Sequence, residues 1–490
     1  MFWRRRDCAR PSKDREDTVR AAWQHAEHSR NAYAYALRVV TNLVEVEAFS
    51  KDIPSLIFKG TSAYNLFKNE AQKTPVSYQT LAGTTARPSF RVPFRVQAGA
   101  AGSLGTGDAD SLYRGSGSKW QGFSLSPVFM YSVCEISHLA AKATEGKARG
   151  LFNVSAQEMK NSLQQMLQFI ESQINSDGTG QIDQIPTTAT INKTYGTDPL
   201  TGDTVGCISG LNVAACFTDQ QTVQVVSIGG TNRGSFVVTF VDPVNNSIYW
   251  DQTATPLPTA SGGTQVTDYL VVNGPADLGP GGNVAPGTAG YGLLGIRYWH
   301  VNSNTGVLAG VNRASFPGRL STPVIELNGG ALTPNVANRA EILLGRALGP
   351  ENDAMDSAIW YGPPEQQLAH ANMYYNARIT QNLEKGESTP DMARKKLPSE
   401  FGGRKYFQSF TAQPNRIDLL LMKNWYIGEL IEVQLYDFGS GMTVVPVPDI
   451  GTSGGTYKTS HMFAYECCFN VANSAPKGGL YVHGAAVPTV

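Results

Sequence analysis

The sequence predicts an α+β protein with several protrusions, and three observations carry that prediction. Met159, Leu163, Met166, Leu167, Ile170 and Ile174 recur at helical spacing, while the last 85 residues read almost entirely as strands. Ahead of that strand-rich end, alternating apolar runs are joined by long glycine-rich polar stretches, which add length without adding core.

Residues 1–60 form an N-terminal arm in this reading, with eight basic and five acidic side chains in the first 30. Residues 74–127 change character. Val76 and Tyr78, then Phe90, Val92, Phe94 and Val96, alternate as in strands, between AGTTA, QAGAAGSLGTGDAD and RGSGSKWQGF. The pattern is that of a long extended β-hairpin with little support of its own. Phe90, Val92, Phe94 and Val96 are expected to lie across a neighbouring chain, with Arg91 and Arg95 on the opposite face and Trp120 beside the base. A chain lacking residues 80–118 is expected to fold.

A helix over 155–176 follows, opened by Ser155 and Glu158 as a capping box and stopped at Gly178. Its apolar stripe is expected to pack on a sheet, with Gln164, Gln165, Gln168, Glu171 and Gln173 on the other faces. Residues 181–290 hold two basic side chains, Lys193 and Arg233, against eight acidic ones. Within them 221–228, 234–241 and 269–274 are strand-like, so 205–275 reads as a small inserted β-domain with its tightest turn at Asp242–Asn246. A helix from Pro334 to about Leu348 is flanked by Thr333 and Gly349-Pro350. A second is expected from Pro364 to about Leu383. The basic loop around Arg394-Lys395-Lys396 leads to the closing strands, through KNWYIGELIEVQLYDF and YECCFNVANSAPKGGLYVHG.

Composition narrows the function. Forty basic and forty acidic residues cancel, so the chain lacks the basic surplus of a dedicated nucleic-acid binder, and a neutral surface suits packing against copies of itself. No apolar run is long enough for a membrane helix and no secretory signal opens the chain. The six cysteines have no metal-ligand spacing and read as buried thiols. His25 and His28 lack carboxylate companions. His370 is expected to pack near Tyr374, and Asp108 and Asp110 lack the glutamate of a calcium loop. Nucleotide, serine-hydrolase and zinc-protease motifs are absent, so no catalytic, cofactor or metal residues are assigned. Arg404-Lys405-Tyr406 and Lys119-Trp120 are isolated basic–aromatic pairs, read as subunit contacts.

The order of arm, hairpin, long helix, β-insert and closing strands resembles the major capsid proteins of tailed double-stranded DNA bacteriophages, the HK97-like fold. The tract YGLLGIRYWHVNSNTGVLAGVNRASFPG, residues 291–318, is similar to the segment that follows the insert in that family. The resemblance covers roughly 50–490. It implies a peripheral domain over 128–204 with a spine helix at 155–176, an inserted β-domain at 205–275, a return to the peripheral domain at 291–350, and an axial domain with closing strands at 351–490. It further implies a virion shell subunit that is not an enzyme and needs no cofactor. Synthesised in the host cytoplasm, it self-assembles into pentamers and hexamers around double-stranded DNA, without sequence-specific binding. Decoration, scaffolding and portal proteins are the further partners it implies, and a membrane is not among them. In some relatives the hairpin lysine is crosslinked, but Lys119 carries no sequence basis for that bond. A tail component, or a β-rich glycan-binding surface protein, is the alternative.

Overall fold

The computed structural model describes residues 63–79, 87–97, 117–137, 150–198, 202–258, 263–273, 291–349, 355–370, 400–438, 445–450 and 457–487. Helix α1 (Ala63–Glu70) turns Ala63, Tyr64, Leu66 and Phe67 into the core, a single stripe at helical spacing. Strands β1 (Gln72–Lys73) and β2 (Ser77–Gln79) precede the hairpin strands β3 (Arg87–Gln97) and β4 (Lys119–Leu125), and β5 (Val128–Ser137) leads on to helix α2 (Gly150–Ile174). The helix thus starts five residues ahead of Ser155, and Ser155 and Glu158 lie inside it. Leu151 and Phe152 carry the apolar period back from Met159, and that continuity outweighs a local cap signal. Gly178 ends the segment at φ +85°, where an added Cβ would meet Leu294 at 2.7 Å.

The insert is a separate seven-stranded sheet. Its strands are β6 (Gln181–Gln184), β7 (Thr190–Thr197), β8 (Thr204–Ser209), β9 (Thr222–Val226), β10 (Asn232–Asp242), β11 (Ser247–Asp251) and β12 (Tyr269–Val272), in the order β6-β12-β9-β10-β11-β8-β7. It encloses its own core around Ile208, Phe217, Val223, Phe236, Val238 and Trp250. The sheet begins at 181, not 205, because β6 is four residues long and β7 is a largely exposed edge strand. Short polar edges lack the alternation that marks a strand in sequence. Arg233 and Asp268 form a buried ion pair at 2.9 Å that ties β10 to the approach of β12. The turn at Asp242–Asn246 forms as expected, with the Asp242 carboxylate accepting from the backbone of Val244 and Asn245.

After the insert come a helical turn α3 (Ile296–Trp299), the short strands β13 (Val307–Leu308), β14 (Val311–Asn312) and β15 (Val324–Glu326), and helix α4 (Pro334–Leu348). Proline at the first turn and Gly349 at its end bound α4 as the sequence implies. Strand β16 (Ala358–Gly362) is followed by a helix, α5, described over 364–370; the remainder of the helix expected to about Leu383 lies outside the described residues. His370 packs edge-on against Phe401 at 4.6 Å, while Tyr374 lies outside the described residues. Strands β17 (Glu400–Phe401), β18 (Arg404–Gln408), β19 (Arg416–Leu421), β20 (Trp425–Leu435), β21 (Val445–Ile450), β22 (Tyr457–Asn473) and β23 (Leu480–His483) close the fold.

Two sheets organise the body. In one, β20 and β21 follow each other along one edge of β22, and β5 runs antiparallel along the other from Val128↔Phe469 to Ser137↔Ser460. The second runs β15-β23-β19-β16-β18-β17. Helix α4 supplies Val336, Ala337, Ala340, Leu344 and Leu348 to a core shared with Trp360, Leu419, Leu421 and Leu480 of that second sheet. A boundary at 350/351 therefore does not separate the sheets. Helix α4 and β15 belong with the strands after it, and β20 and β22 belong with β5 before it. The chain passes between the sheets several times, which a linear segmentation cannot represent. Cys207, Cys216, Cys467 and Cys468 are buried free thiols and Cys134 is half-buried.

Candidate functional site

The hairpin pairs Phe90↔Leu125, Val92↔Phe123 and Phe94↔Gln121, so one face carries Phe90, Val92, Phe94 and Phe123. That face does not look outward. Phe90 is 1% exposed, Val92 0% and Phe94 2%, and all three belong to the main core of their own chain. Phe94 stacks on Phe123 at 4.4 Å and meets Phe316 edge-on at 5.8 Å, while Phe123 meets Trp299 at 5.1 Å. Phe90 lies over Gly428, where a Cβ would fall 2.4 Å from its ring. Val96 packs half-buried against the same core. The expectation that these four side chains lie across a neighbouring chain is therefore corrected. Aromatic mass of that size is best buried at once by the nearest apolar surface, here the 291–318 tract and β20.

The outward face is different. Arg91 and Pro93 are exposed, Arg95 is half-buried, and the register sets Arg95 opposite Trp120, which is 61% exposed. Arg91 sits opposite Ser124 and Pro93 opposite Gly122. A basic and aromatic row thus runs along a hairpin whose other side is fixed in the core. The tip, 98–116, with Asp108 and Asp110, lies outside the described residues, as do His25 and His28. Removing 80–118 would delete β3, and with it three buried core side chains, so that expectation is corrected as well.

Helix α2 places Met166, Ile170 and Ile174 in the main core, with Leu163 and Leu167 half-buried; the Met159 side chain lies outside the described residues. Glu171 and Gln173, expected on the faces away from the apolar stripe, are 2% and 3% exposed. The helix is covered from a second side by the insert. The Gln168 amide donates to the carbonyls of Ala215 and Phe217 at 2.8 and 2.9 Å, and the Cys216 thiol donates to the Thr411 carbonyl at 3.3 Å. Ser409 donates to Glu171 at 2.8 Å, and the Asn175 amide donates to Ser409 and Thr411. Burial pushes the Glu171 carboxyl up to about 7, which the Ser409 hydrogen bond only partly offsets.

A third arrangement went unnoticed in the sequence. His300 is fully buried, and its Nδ1 lies 2.9 Å from Asp418, which Arg416 grips with two nitrogens at 2.8 and 2.9 Å. The Arg416 guanidinium also donates to the His300 carbonyl and lies 4.2 Å above the Tyr481 ring. Burial alone would raise the Asp418 carboxyl, but the Arg416 charge and the His300 hydrogen bond hold it at about 2. Burial lowers His300, so the neutral imidazole donates from Nδ1. The backbone of Gly479 closes over the other ring nitrogen, where a Cβ would stand 2.3 Å from Nε2. A reacting molecule has no room there, so the arrangement is a clamp. It fastens the 291–322 tract to β19, helped by Arg313, whose Nη1 donates to the carbonyls of Val301, Ser303 and Leu320. The available signal was Arg416-x-Asp418 in a strand, which puts both side chains on one face.

Among the described residues no group of three His, Cys, Asp or Glu side chains could hold a metal ion, and no helix is long and apolar enough to cross a membrane. Arg404, one of the isolated basic residues, donates to Glu341 at 2.8 Å and to the Met355 carbonyl, an intramolecular role. Arg394-Lys395-Lys396 lies outside the described residues.

No protein-family model matches the chain, and no curated protein matches it. Among solved structures it resembles phage and GTA capsid chains at low identity over most of its length. The cyanophage A-1(L) capsid asymmetric unit is 11% identical, covering 91% of this chain and 99% of that one, with a TM-score of 0.46. The capsid of a native GTA particle is 10% identical, covering 89% and 94%, with a TM-score of 0.39. Gordonia phage Cozz is 10% identical, covering 89% and 91%, with a TM-score of 0.35.

Proposed function

We propose that the chain is a structural, non-catalytic subunit of an icosahedral bacteriophage capsid that assembles with copies of itself into pentamers and hexamers around double-stranded DNA. The hairpin is the observation that carries this reading. Its inner face is anchored by Phe90, Val92 and Phe94, its outer row presents Arg91, Arg95 and Trp120, and its glycine-rich connection at 98–116 joins two strands that cannot shift. In this reading the 98–116 connection serves assembly as well, since its loss would leave the two anchored strands in place. Arg91, Arg95 and Trp120 then contact another copy, while the apolar face acts as the anchor. Small contact energies suffice, because closed symmetry repeats each contact around the shell.

In this reading the sheet carrying β5 and α2 serves as the peripheral domain, and the six-stranded sheet under α4 as the axial domain. The insert, with two basic and eight acidic residues across 181–290, faces away from packaged DNA, since like charge opposes contact with phosphate. Decoration, scaffolding and portal proteins are the further partners, and the virion capsid is the location. The test is a deletion confined to 98–116, bridged by a two-residue turn. The variant is expected to keep the wild-type thermal transition and to sediment as free subunits or small capsomers. Closed particles of normal diameter in electron micrographs of that variant would overturn the assignment of the tip to assembly.

A further inference from the structure

Between β5, α2 and the insert sheet lies a cavity of about 440 Å³, within the usual size range of small-molecule sites. Its floor is helix α2, through Gln165, Phe169 and Gln173; one wall is β5 from Val128 to Val133, and the facing wall is the 218–222 loop of the insert with Val272 and Asn273. The shell reading does not use this space.

Two amide groups of the lining are left without acceptors among the described residues. Gln173 is 3% exposed, and its Nε2 has no hydrogen-bond partner. Gln221 uses its Oε1 to accept from the Thr218 backbone at 3.0 Å, and its buried Nε2 likewise has no partner. A buried donor without an acceptor costs about 1–3 kcal/mol, so both point to an acceptor supplied from outside the chain. Among the described residues Asp219 supplies the one carboxylate of the lining, with its Oδ1 already accepting from the Val241 amide at 3.0 Å, and no Lys, Arg or His lines the space. Among these residues an anion would find no countercharge, and a purely apolar ligand would leave both amides unmatched. The remaining walls include the aromatic rings of Tyr131, Phe169 and Tyr291.

We propose that this cavity is a binding site for a neutral saccharide, with Gln173 and Gln221 donating to its oxygens, Asp219 accepting from a hydroxyl, and the aromatic walls covering its C–H faces. Hydroxyl groups donate and accept at once, which suits a lining of two free donors and one carboxylate. The site joins the insert to the body, so occupancy would tie the two together.

Saturation-transfer NMR on the full chain tests this with maltose, cellobiose and N,N′-diacetylchitobiose as probes, and with glucose 6-phosphate and an acetylated dipeptide amide as controls. At least one neutral disaccharide is expected to saturate the protein, with glucose 6-phosphate markedly weaker. Gln173→Leu and Gln221→Leu are each expected to weaken that binding about tenfold. Gln221 lies on a half-buried loop, so its variant keeps the test readable if Gln173→Leu does not fold. Absence of saturation by all three disaccharides would overturn the proposal. So would undiminished binding in a folded variant, equal binding of the phosphate, or preference for the dipeptide.

Discussion

Glu171 stands where α2, the 409–411 segment and the insert meet, and its state decides how comfortable that junction is. With its folded pKa at about 7 against an ordinary 4.5, the native state holds a proton that the unfolded chain has released across that interval. The contribution is whole below pH 4.5 and is lost as pH rises through 7, at a cost of about 3 kcal/mol. Glu171→Gln keeps the Ser409 hydrogen bond and removes the titration. The variant is expected to match wild type in thermal unfolding at pH 4.5 and to exceed it by several degrees at pH 8; equal transitions at pH 8 would show that the carboxyl does not sense this burial. The clamp works in the opposite sense. Asp418 is held low at about 2, so its contribution is present above pH 3.8 and fades as pH falls towards 2, and His300, stabilised as the neutral ring, is likewise penalised by acid. Such opposed residues set a stable window between them.

At the scale of elements, the hairpin divides its work between its two faces. Phe94→Ala removes a ring packed against Phe123 and Phe316 and is expected to cost about 3–5 kcal/mol in urea denaturation of unassembled chain. Trp120→Ala, on the outward row, is expected to change the same denaturation by less than about 0.5 kcal/mol and to lower the yield of closed particles instead. A destabilised Trp120→Ala monomer would place that ring in the fold and not in assembly. The alternation Phe90, Val92, Phe94, Val96 was legible as a strand, yet period two says only that one face is buried, never against which chain. Helix α4 was legible at both ends because proline and glycine bracket it, and α2 was legible in period but not in its start. Its Glu171 and Gln173 could not be recognised as buried, since Ser409 and Gly292, more than a hundred residues on, help to cover them, and long-range packing leaves no mark on local spacing. The Arg416–Asp418–His300 clamp was invisible for the same reason. Its members are 116 residues or more apart apart from the adjacent strand pair, and only the fold brings them together.

For the molecule as a whole, the insert behaves as a module set into a continuous body. Its first and last strands, β6 and β12, pair with each other, and the Val272 amide donates to the Gly180 carbonyl at 3.0 Å, so the chain leaves and re-enters the body at one place. Just beyond, the Gly292 amide donates to the Gly178 carbonyl at 3.0 Å, which closes the body beneath the insert. The insert keeps its own core, and among the polar links to the body are Gln168 to Ala215 and Phe217, and Cys216 to Thr411. Excising 181–290 and joining Gly180 to Tyr291 through a short glycine linker should therefore leave the main core intact. The expected product is a folded chain with a single cooperative transition, lowered by the newly exposed side of α2, and still able to form closed particles. Sedimentation and calorimetry of the excised chain decide the matter. A body that unfolds without its insert would mean that the insert is structural, and that the two cores fold as one.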